Sequence, residues 1–522
     1  MSGRTLARAG LVVAGAFFLS RVLGWIRLVI ISNLFGAGAE LDAYFAAFRL
    51  PDAIFQLVAA GALSSAVIPV LSSLFTRQQE ERAWRVVSTV LNLMLLVLAG
   101  LAGLVAVLAP YIVPLITPGF DMVQTELTVR LTRIMLLSPI FLALGAVASS
   151  VLNARGRFAA SAVAPLFYNL AIIVAARVRG PALGVESLAI GVVTGSLLHL
   201  AVQLRPMMRE RFRLSFSIDL GDAAARQVLL LMAPRAIGLG ANQITFMINT
   251  VLATGVGVGA VTAYNVAFTI LQIPLGVIGF PLGVVLLPSM SRAIAAGSVG
   301  EFGQLVVRSL RLLLYAMLFI SAVGIVLRRQ VVTLLFGYGF DERAIDLTAN
   351  TLLLMLAGLA AHSMVVVLAR AFYSGQDTRT PVIVALLSVA VNVSISVSTV
   401  GTLGLSGLAL GIAAGAWFEA TLLGIILWQR TPGAGLENIP RPFIVFAAGA
   451  LLAGLAALLV VRLSEIYLGP DLDTLALTGQ VLLASFAAAA VYALYSRLLH
   501  IPELPHAIGM VRSLLRRGGG AA

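Results

Sequence analysis

The sequence predicts an all-α polytopic membrane protein, and three observations carry that prediction. Of its 522 residues, 60% are hydrophobic and only 11% charged, with a mean hydropathy of +1.03; soluble domains carry roughly 25% charged residues. Apolar stretches of spanning length recur from end to end, as in LNLMLLVLAGLAGLVAVLAP at 91–110, and a helix of about 20 such residues crosses a bilayer. These runs also lack the alternation of apolar and polar residues that a transmembrane barrel requires.

Taken in order, windows of spanning length give about 14 helices. Their approximate cores are 11–32, 43–74, 86–116, 127–152, 159–176, 184–204, 227–253, 261–288, 305–335, 345–373, 380–400, 405–429, 442–463 and 474–497. The opening MSGRTLARAG before an apolar run has the form of a signal peptide, but with many spans behind it an uncleaved first helix is expected.

The net charge is +13 and all 35 basic side chains are arginines. A basic chain raises the question of nucleic acid, which we set aside, because arginines gathered in short loops are how a membrane protein fixes its orientation. With the N-terminus in the cytoplasm, the inside segments carry Arg77, Arg82 and Arg85, then Arg155 and Arg157, then Arg205, Arg209, Arg211 and Arg213, and the series runs on to Arg512, Arg516 and Arg517. The outside loops at 33–42, 117–126, 254–260 and 400–404 hold none, although Arg177, Arg179, Arg328, Arg329 and Arg462 break the pattern. Both termini are therefore expected in the cytoplasm. Cysteine is absent, which excludes disulfides, thiolate nucleophiles and cysteine-ligated metals.

An internal repeat runs through the chain. AYFAAF (43–48) matches AYNVAF (263–268), IPVLS (68–72) matches LPSMS (287–291), NARGRF (153–158) falls opposite YSGQDTRTP (373–381), and Asn169 falls opposite Asn392. The order is kept, at offsets near 220 residues. The expected organisation is an N-lobe at 1–214 with six spans and a C-lobe at 215–430 with six more. Two added helices follow at 431–500, and a cytoplasmic tail at 501–522. Units with an even number of spans point the same way across the membrane, giving a parallel pseudo-two-fold repeat. The basic stretch RPMMRERFRLSFSIDLGD (205–222) joins them and reads as an amphipathic segment on the inner surface. Two such lobes favour a transporter over a channel or an enzyme.

Charges inside the spans are the candidate functional residues. A guanidinium at the centre of a membrane helix costs between ~3 and well over 10 kcal/mol, yet Arg21, Arg27, Asp42, Arg49 and Asp52 all lie in or near the first two spans. Asp42, Arg49 and Asp52 share nearly one helix face, so the stripe either neutralises itself or lines a site. Arg27 lies close enough to the outside loop to reach headgroups; Arg21 is deeper, with no acid within one turn, and suits a water-filled cavity. Three guanidiniums against two carboxylates leave an excess that suits an anionic substrate held through phosphate oxygens. Arg235 begins the seventh span and faces either the cavity or the cytoplasm. Glu419 in the twelfth serves either coupling or structure, and His362 reads as a packed histidine.

No enzyme motif is found: there is no metal-spaced cluster, P-loop or nucleophile elbow, and GVGVGA (255–260) is an outside turn with no strand before it. No cofactor or metal is expected.

Six segments together resemble the MurJ (MviN) family, the lipid II flippases of the MOP (MATE-like) transporter superfamily. They are SRVLGWIR (20–27), FGAGAELDAYFAAFRLP (35–51), GALSSAVIPVL (61–71), LNARGRFAASAVAPLFYN (152–169), PLGVIGFPLGVVLLPSMSR (274–292) and FYSGQDTRTP (372–381). The resemblance implies a 14-helix alternating-access fold in the bacterial plasma membrane. Its cargo would be an undecaprenyl-pyrophosphate-linked peptidoglycan precursor moved from inner to outer leaflet, with cell-wall synthesis proteins as partners. By the same resemblance, Arg21, Arg27 and Arg49 fall on basic positions that hold the pyrophosphate, and Asp42 on the acid of the DAF/DAY motif. The chain also departs from the family pattern. Leu28, Phe55, Gln56, Ala60, Phe268 and Thr269 stand where the family carries charge, and Asn249, Asn392 and Ser396 supply no carboxylate for a cation site. An exporter of another lipid-linked glycan, a non-transporting cell-wall scaffold and a multidrug antiporter are the competing readings.

Overall fold

The computed structural model describes residues 3–58, 62–210, 215–469, 472–505 and 509; the side chains of residues 3–14, 17, 62–65 and 233–242 lie outside that description. Every regular element among the described residues is helical. The chain divides into two compact units, Met1–Thr262 with Gly339–Asp341, and Ala263–Tyr338 with Glu342–Ala522.

The first unit contains α1 (Gly3–Phe35), α2 (Ala39–Val58), α3 (Ala62–Thr76), α4 (Glu80–Ile116), α5 (Met122–Met135), α6 (Ser138–Ala154), α7 (Phe158–Leu183), α8 (Glu186–Met208) and α9 (Ala223–Thr254). Then come α10 (Ala260–Pro274), a π-helical turn at Leu275–Gly279 and α11 (Phe280–Ala295), followed by α12 (Val299–Phe336), α13 (Glu342–Ala357) and α14 (Leu359–Ser374). The series closes with α15 (Arg379–Leu403), α16 (Leu405–Arg430), α17 (Pro440–Leu468) and α18 (Thr474–Leu498). Among the described residues, 11 helical stretches are long and apolar enough to cross a membrane, or 12 if the bent pair α13–α14 forms one span. Of the other two expected spans, 43–74 runs through residues 59–61, outside the description, and 227–253 includes side chains outside it at 233–242.

Local chemistry sets the helix ends. Asp121, Asp222 and Asp473 accept hydrogen bonds from the amides of Gln124, Ala224 and Ala476, capping α5, α9 and α18. Ser298 caps α12 by accepting from the Glu301 amide. Between α10 and α11 the π turn sits between Pro274 and Pro281, where missing backbone donors disrupt the i→i−4 ladder.

The two units use one device at equivalent places. Gly184 ends α7 with φ +55° and its amide bonded to Gly180; Gly404, 220 residues on, ends α15 with φ +57° and its amide bonded to Val400. Only glycine takes that backbone conformation without strain. Beyond each turn, small residues let two helices close together: Gly191 and Gly195 of α8 face Ile172 and Tyr168 of α7, while Gly411 and Gly415 of α16 face Asn392 and Ser388 of α15. A Cβ at Gly411 would lie 2.7 Å from the Asn392 carbonyl oxygen. Gly411→Ala therefore forces α15 and α16 apart, and thermal unfolding in detergent should show a loss of about 1–3 kcal/mol.

The core of the first unit is a cluster of α3, α4 and α6 around Leu71, Trp84, Leu98 and Leu152. In the second unit α17 and α18 pack on α12. Tyr492 stacks on Tyr315 at 4.7 Å and donates to the Tyr315 carbonyl, and Arg311 pairs with Glu503 at 2.6 Å.

The loop between α14 and α15 carries a second cap. Asp377 accepts from the Arg379 and Thr380 amides, the Thr380 hydroxyl and the Arg430 guanidinium, and the Thr380 bonds foremost pull its pKa down to about 2. A lowered folded-state pKa contributes stability above the unfolded value and loses it as pH falls through the folded one. Wild type should therefore melt above Asp377→Asn at neutral pH, with the gap closing between pH 4 and 2.

Candidate functional site

The charged residues of the first two spans lie within the first unit, and its helices place them differently. Asp42 opens α2 and is fully buried. Its carboxylate accepts from the Gly259 amide at 2.7 Å, the Thr262 amide at 2.7 Å and the Thr262 hydroxyl at 2.6 Å. Three donors at the start of α10 thus converge on one acid, which acts as a helix cap supplied from another helix. Gly36 and Gly259 close the chain around it: the Gly339 amide donates to Asn33, and a Cβ at Gly259 would lie 2.6 Å from the Ala37 carbonyl.

Arg49 and Asp52, two turns further along α2, form a network with α9. The Arg49 Nε donates to the Thr250 hydroxyl at 2.9 Å and its guanidinium lies 5.3 Å from the Phe246 ring centre. Asp52 accepts from Gln243 at 3.3 Å and from Gln56, one turn on, at 3.5 Å. Gln56, which stands where the family pattern has arginine, therefore satisfies the neighbouring acid, and Phe55 packs into the apolar core cluster.

On α1, Arg21 is exposed and Arg27 half-buried. The Arg27 guanidinium lies 5.9 Å from the Tyr168 ring centre on α7, within range of a cation–π contact. Its Nε and the Trp25 Nε1 are buried without hydrogen-bond acceptors among the described residues. Gly24, between the two arginines, lets α1 lie against Asn169, whose Oδ1 is 3.6 Å from the position a Cβ would take.

The structure thus ties Arg49 and Asp52 each to α9, seats Arg27 on Tyr168 and commits Asp42 to a cap. Sequence reasoning missed Tyr168, Gln243, Phe246 and Thr250. Gln243 and Thr250, polar groups inside an apolar span, carried a readable signal; the aromatic pair resembled ordinary core. The Arg235 side chain lies outside the described residues. Glu419 sits on α16, facing Ser388 of α15, and makes no ion pair among the described residues. No group of three His, Asp or Glu side chains among the described residues is placed to hold a metal ion. At the positions compared with a cation site, Asn249, Asn392 and Ser396 are buried amides and a hydroxyl.

Comparison with known proteins places these features in context. A family model described as "Lipid II flippase MurJ" matches residues 31–499. The chain is 31% identical over 522 residues to the "Probable lipid II flippase MurJ" of Rhizobium meliloti (strain 1021), covering 98% of this chain and 96% of that one. It is 33% identical to the "Lipid II flippase MurJ" of Burkholderia cenocepacia, covering 86% and 89%. Among solved structures, "Lipid II flippase MurJ, inward closed conformation" superposes with a TM-score of 0.77 at 21% identity, covering 94% of this chain and 99% of that one. An inward-facing MATE-family multidrug transporter follows at 0.64 and 17%, covering 80% and 96%.

Proposed function

Because the chain belongs to the MurJ family of lipid II flippases, we propose that it carries lipid II from the inner to the outer leaflet of the bacterial plasma membrane. The observation that carries this reading is the extent of the family match, residues 31–499, which takes in nearly every span. The arginine distribution supports cytoplasmic termini.

In this proposal Arg21, Arg27 and Arg49 meet the diphosphate. Asp42 is committed to the α10 cap and Asp52 lies beside Arg49, so in this stretch three guanidiniums stand against two carboxylates. Thr250 and Phe246 hold the Arg49 fork in one orientation before substrate arrives, and Asp52 steadies its charge. Arg27 offers a buried Nε with no acceptor among the described residues. Planar guanidiniums with donors to spare suit paired phosphate oxygens.

One observation favours a second reading, export of another lipid-linked glycan. Phe55 and Phe268 are absorbed in packing, the latter stacked 6.2 Å from Tyr264, and the Thr269 hydroxyl is turned to its own helix at Asn265. These positions supply no charge to a headgroup.

Native mass spectrometry of protein extracted gently from its host, wild type beside Arg21→Ala/Arg49→Ala, tests both readings. Lipid II bound to wild type and lost from the variant is the expected result. A different polyprenyl diphosphate glycan would select the second reading. A variant that keeps its lipid would overturn the clamp.

A further inference from the structure

Between α8 and α9 the chain crosses α4 as a short strap, and its side chains alternate. Asn92 of α4 donates to the Ser215 and Ser217 carbonyls at 2.8 and 3.1 Å, Ser88 accepts from the Ser215 amide, and Thr89 accepts from the Asp219 amide. The Ser215 and Ser217 hydroxyls bond each other at 2.8 Å. The backbone of the odd-numbered residues thus ties the strap down; Ser215 and Asp219 are half-buried, and Ser217 is exposed. The even-numbered ones are apolar and outward: Phe216 is 100% exposed, Ile218 44% and Leu220 50%. A period of two is what a non-helical segment shows when one side is anchored and the other free.

The strap is fixed at its far end. Asp222 caps α9 through the Ala224 amide and pairs with Arg82 of α4 at 2.8 Å; these bonds hold its carboxyl below the usual range, the Arg82 bond foremost. Basic residues flank it. Arg85 lies one turn past Arg82, Arg226 one turn past Asp222, and Arg209 just beyond the end of α8; all three are exposed and make no ion pair among the described residues. In water, a bare row of Phe, Ile and Leu is unfavourable. At the edge of a bilayer, apolar side chains enter the acyl boundary while neighbouring arginines meet phosphates, each worth about 1 kcal/mol near an anionic surface.

We infer that Ser215–Leu220 is a lipid-facing strap. Phe216, Ile218 and Leu220 insert at the membrane interface where α4 begins, and Arg85, Arg209 and Arg226 bind anionic phospholipid headgroups there. This sharpens the amphipathic segment expected at 205–222, because in the strap the amphipathicity has a period of two. It is also independent of what the protein carries.

The absence of cysteine makes the test clean. Single cysteines at 215 through 220 in the full chain, nitroxide-labelled in bilayers of phosphatidylethanolamine and phosphatidylglycerol, report depth through collision with oxygen or a water-soluble nickel chelate. Positions 216, 218 and 220 should favour oxygen several-fold over nickel, and 217 should not. Replacing phosphatidylglycerol with phosphatidylcholine should raise nickel access at 216 about two-fold or more. Arg85→Gln/Arg226→Gln should abolish that dependence while leaving 216 oxygen-favoured. Free nickel access at all three even positions would overturn the proposal in favour of a water-side protein partner. Dipolar broadening between labels would overturn it in favour of a second copy of this chain.

Discussion

Asp42→Ala is expected to cost about 3–5 kcal/mol of stability and to leave little transport. Its carboxylate is the shared acceptor for the Gly259 and Thr262 amides and the Thr262 hydroxyl, at no solvent exposure. Hydrogen bonds to a charged group contribute roughly 1.5–3 kcal/mol each, and a buried donor left without an acceptor costs about 1–3 kcal/mol more. The terms are not additive, because the three donors lie within one turn of chain. Asp42→Asn keeps one acceptor oxygen and sets an NH2 against the remaining donors, so its loss should fall between alanine and wild type. Thermal unfolding in detergent, read beside a lipid II accessibility assay, separates this role from substrate contact. A cap predicts melting and transport falling together in the order wild type, Asn, Ala. An alanine variant that melts like wild type and fails to transport would instead place Asp42 against the cargo.

Asp42 also shows how far the sequence could be read. Its depth in an apolar context marked it, and its place near Arg49 suggested a binding stripe. The partner that claims it lies 220 residues away at Thr262, a separation no local spacing reveals. Its repeat counterpart is that same Thr262, since AYFAAF and AYNVAF follow Asp42 and Thr262 in turn. The repeat was legible because each unit reuses one solution, down to Gly184 and Gly404 with nearly equal φ. The span cores were legible because bilayer thickness fixes helix length. The breaks within spans were less so. α13 and α14 meet at a 44° bend around Gly358, and α10 passes into α11 through a π turn. Hydropathy windows average over both, since a kink changes backbone bonding without changing composition. The stretch at 205–222 was legible as amphipathic but its period was not, because the arginines at 205–213 and the apolar residues at 216–220 fit either period over so few positions.

The arginine pair carries the other large effect. Arg21→Ala/Arg49→Ala is expected to reduce transport about 100-fold or more while the protein still folds. Two charge-assisted contacts to a diphosphate amount to roughly 3–6 kcal/mol, and each 1.4 kcal/mol is about tenfold. The fold should tolerate the loss for reasons visible around each residue. Arg21 is exposed on α1. When Arg49 is removed, the Thr250 hydroxyl still donates to the Phe246 carbonyl, and Asp52 keeps its bonds from Gln243 and Gln56. Arg49→Lys separates charge from geometry. An ammonium restores the positive charge but cannot hold Thr250 and lie on Phe246 while presenting two parallel donors. Lysine should therefore recover less than a tenth of wild-type transport. Full recovery would reduce Arg49 to a point charge, and undiminished transport in the double alanine variant would remove the clamp altogether. The decisive control is Arg462→Ala, which breaks an exposed pair with Glu465. Exposed pairs contribute little, so this variant should match wild type in both stability and transport, leaving any loss in the double variant to the two guanidiniums of α1 and α2.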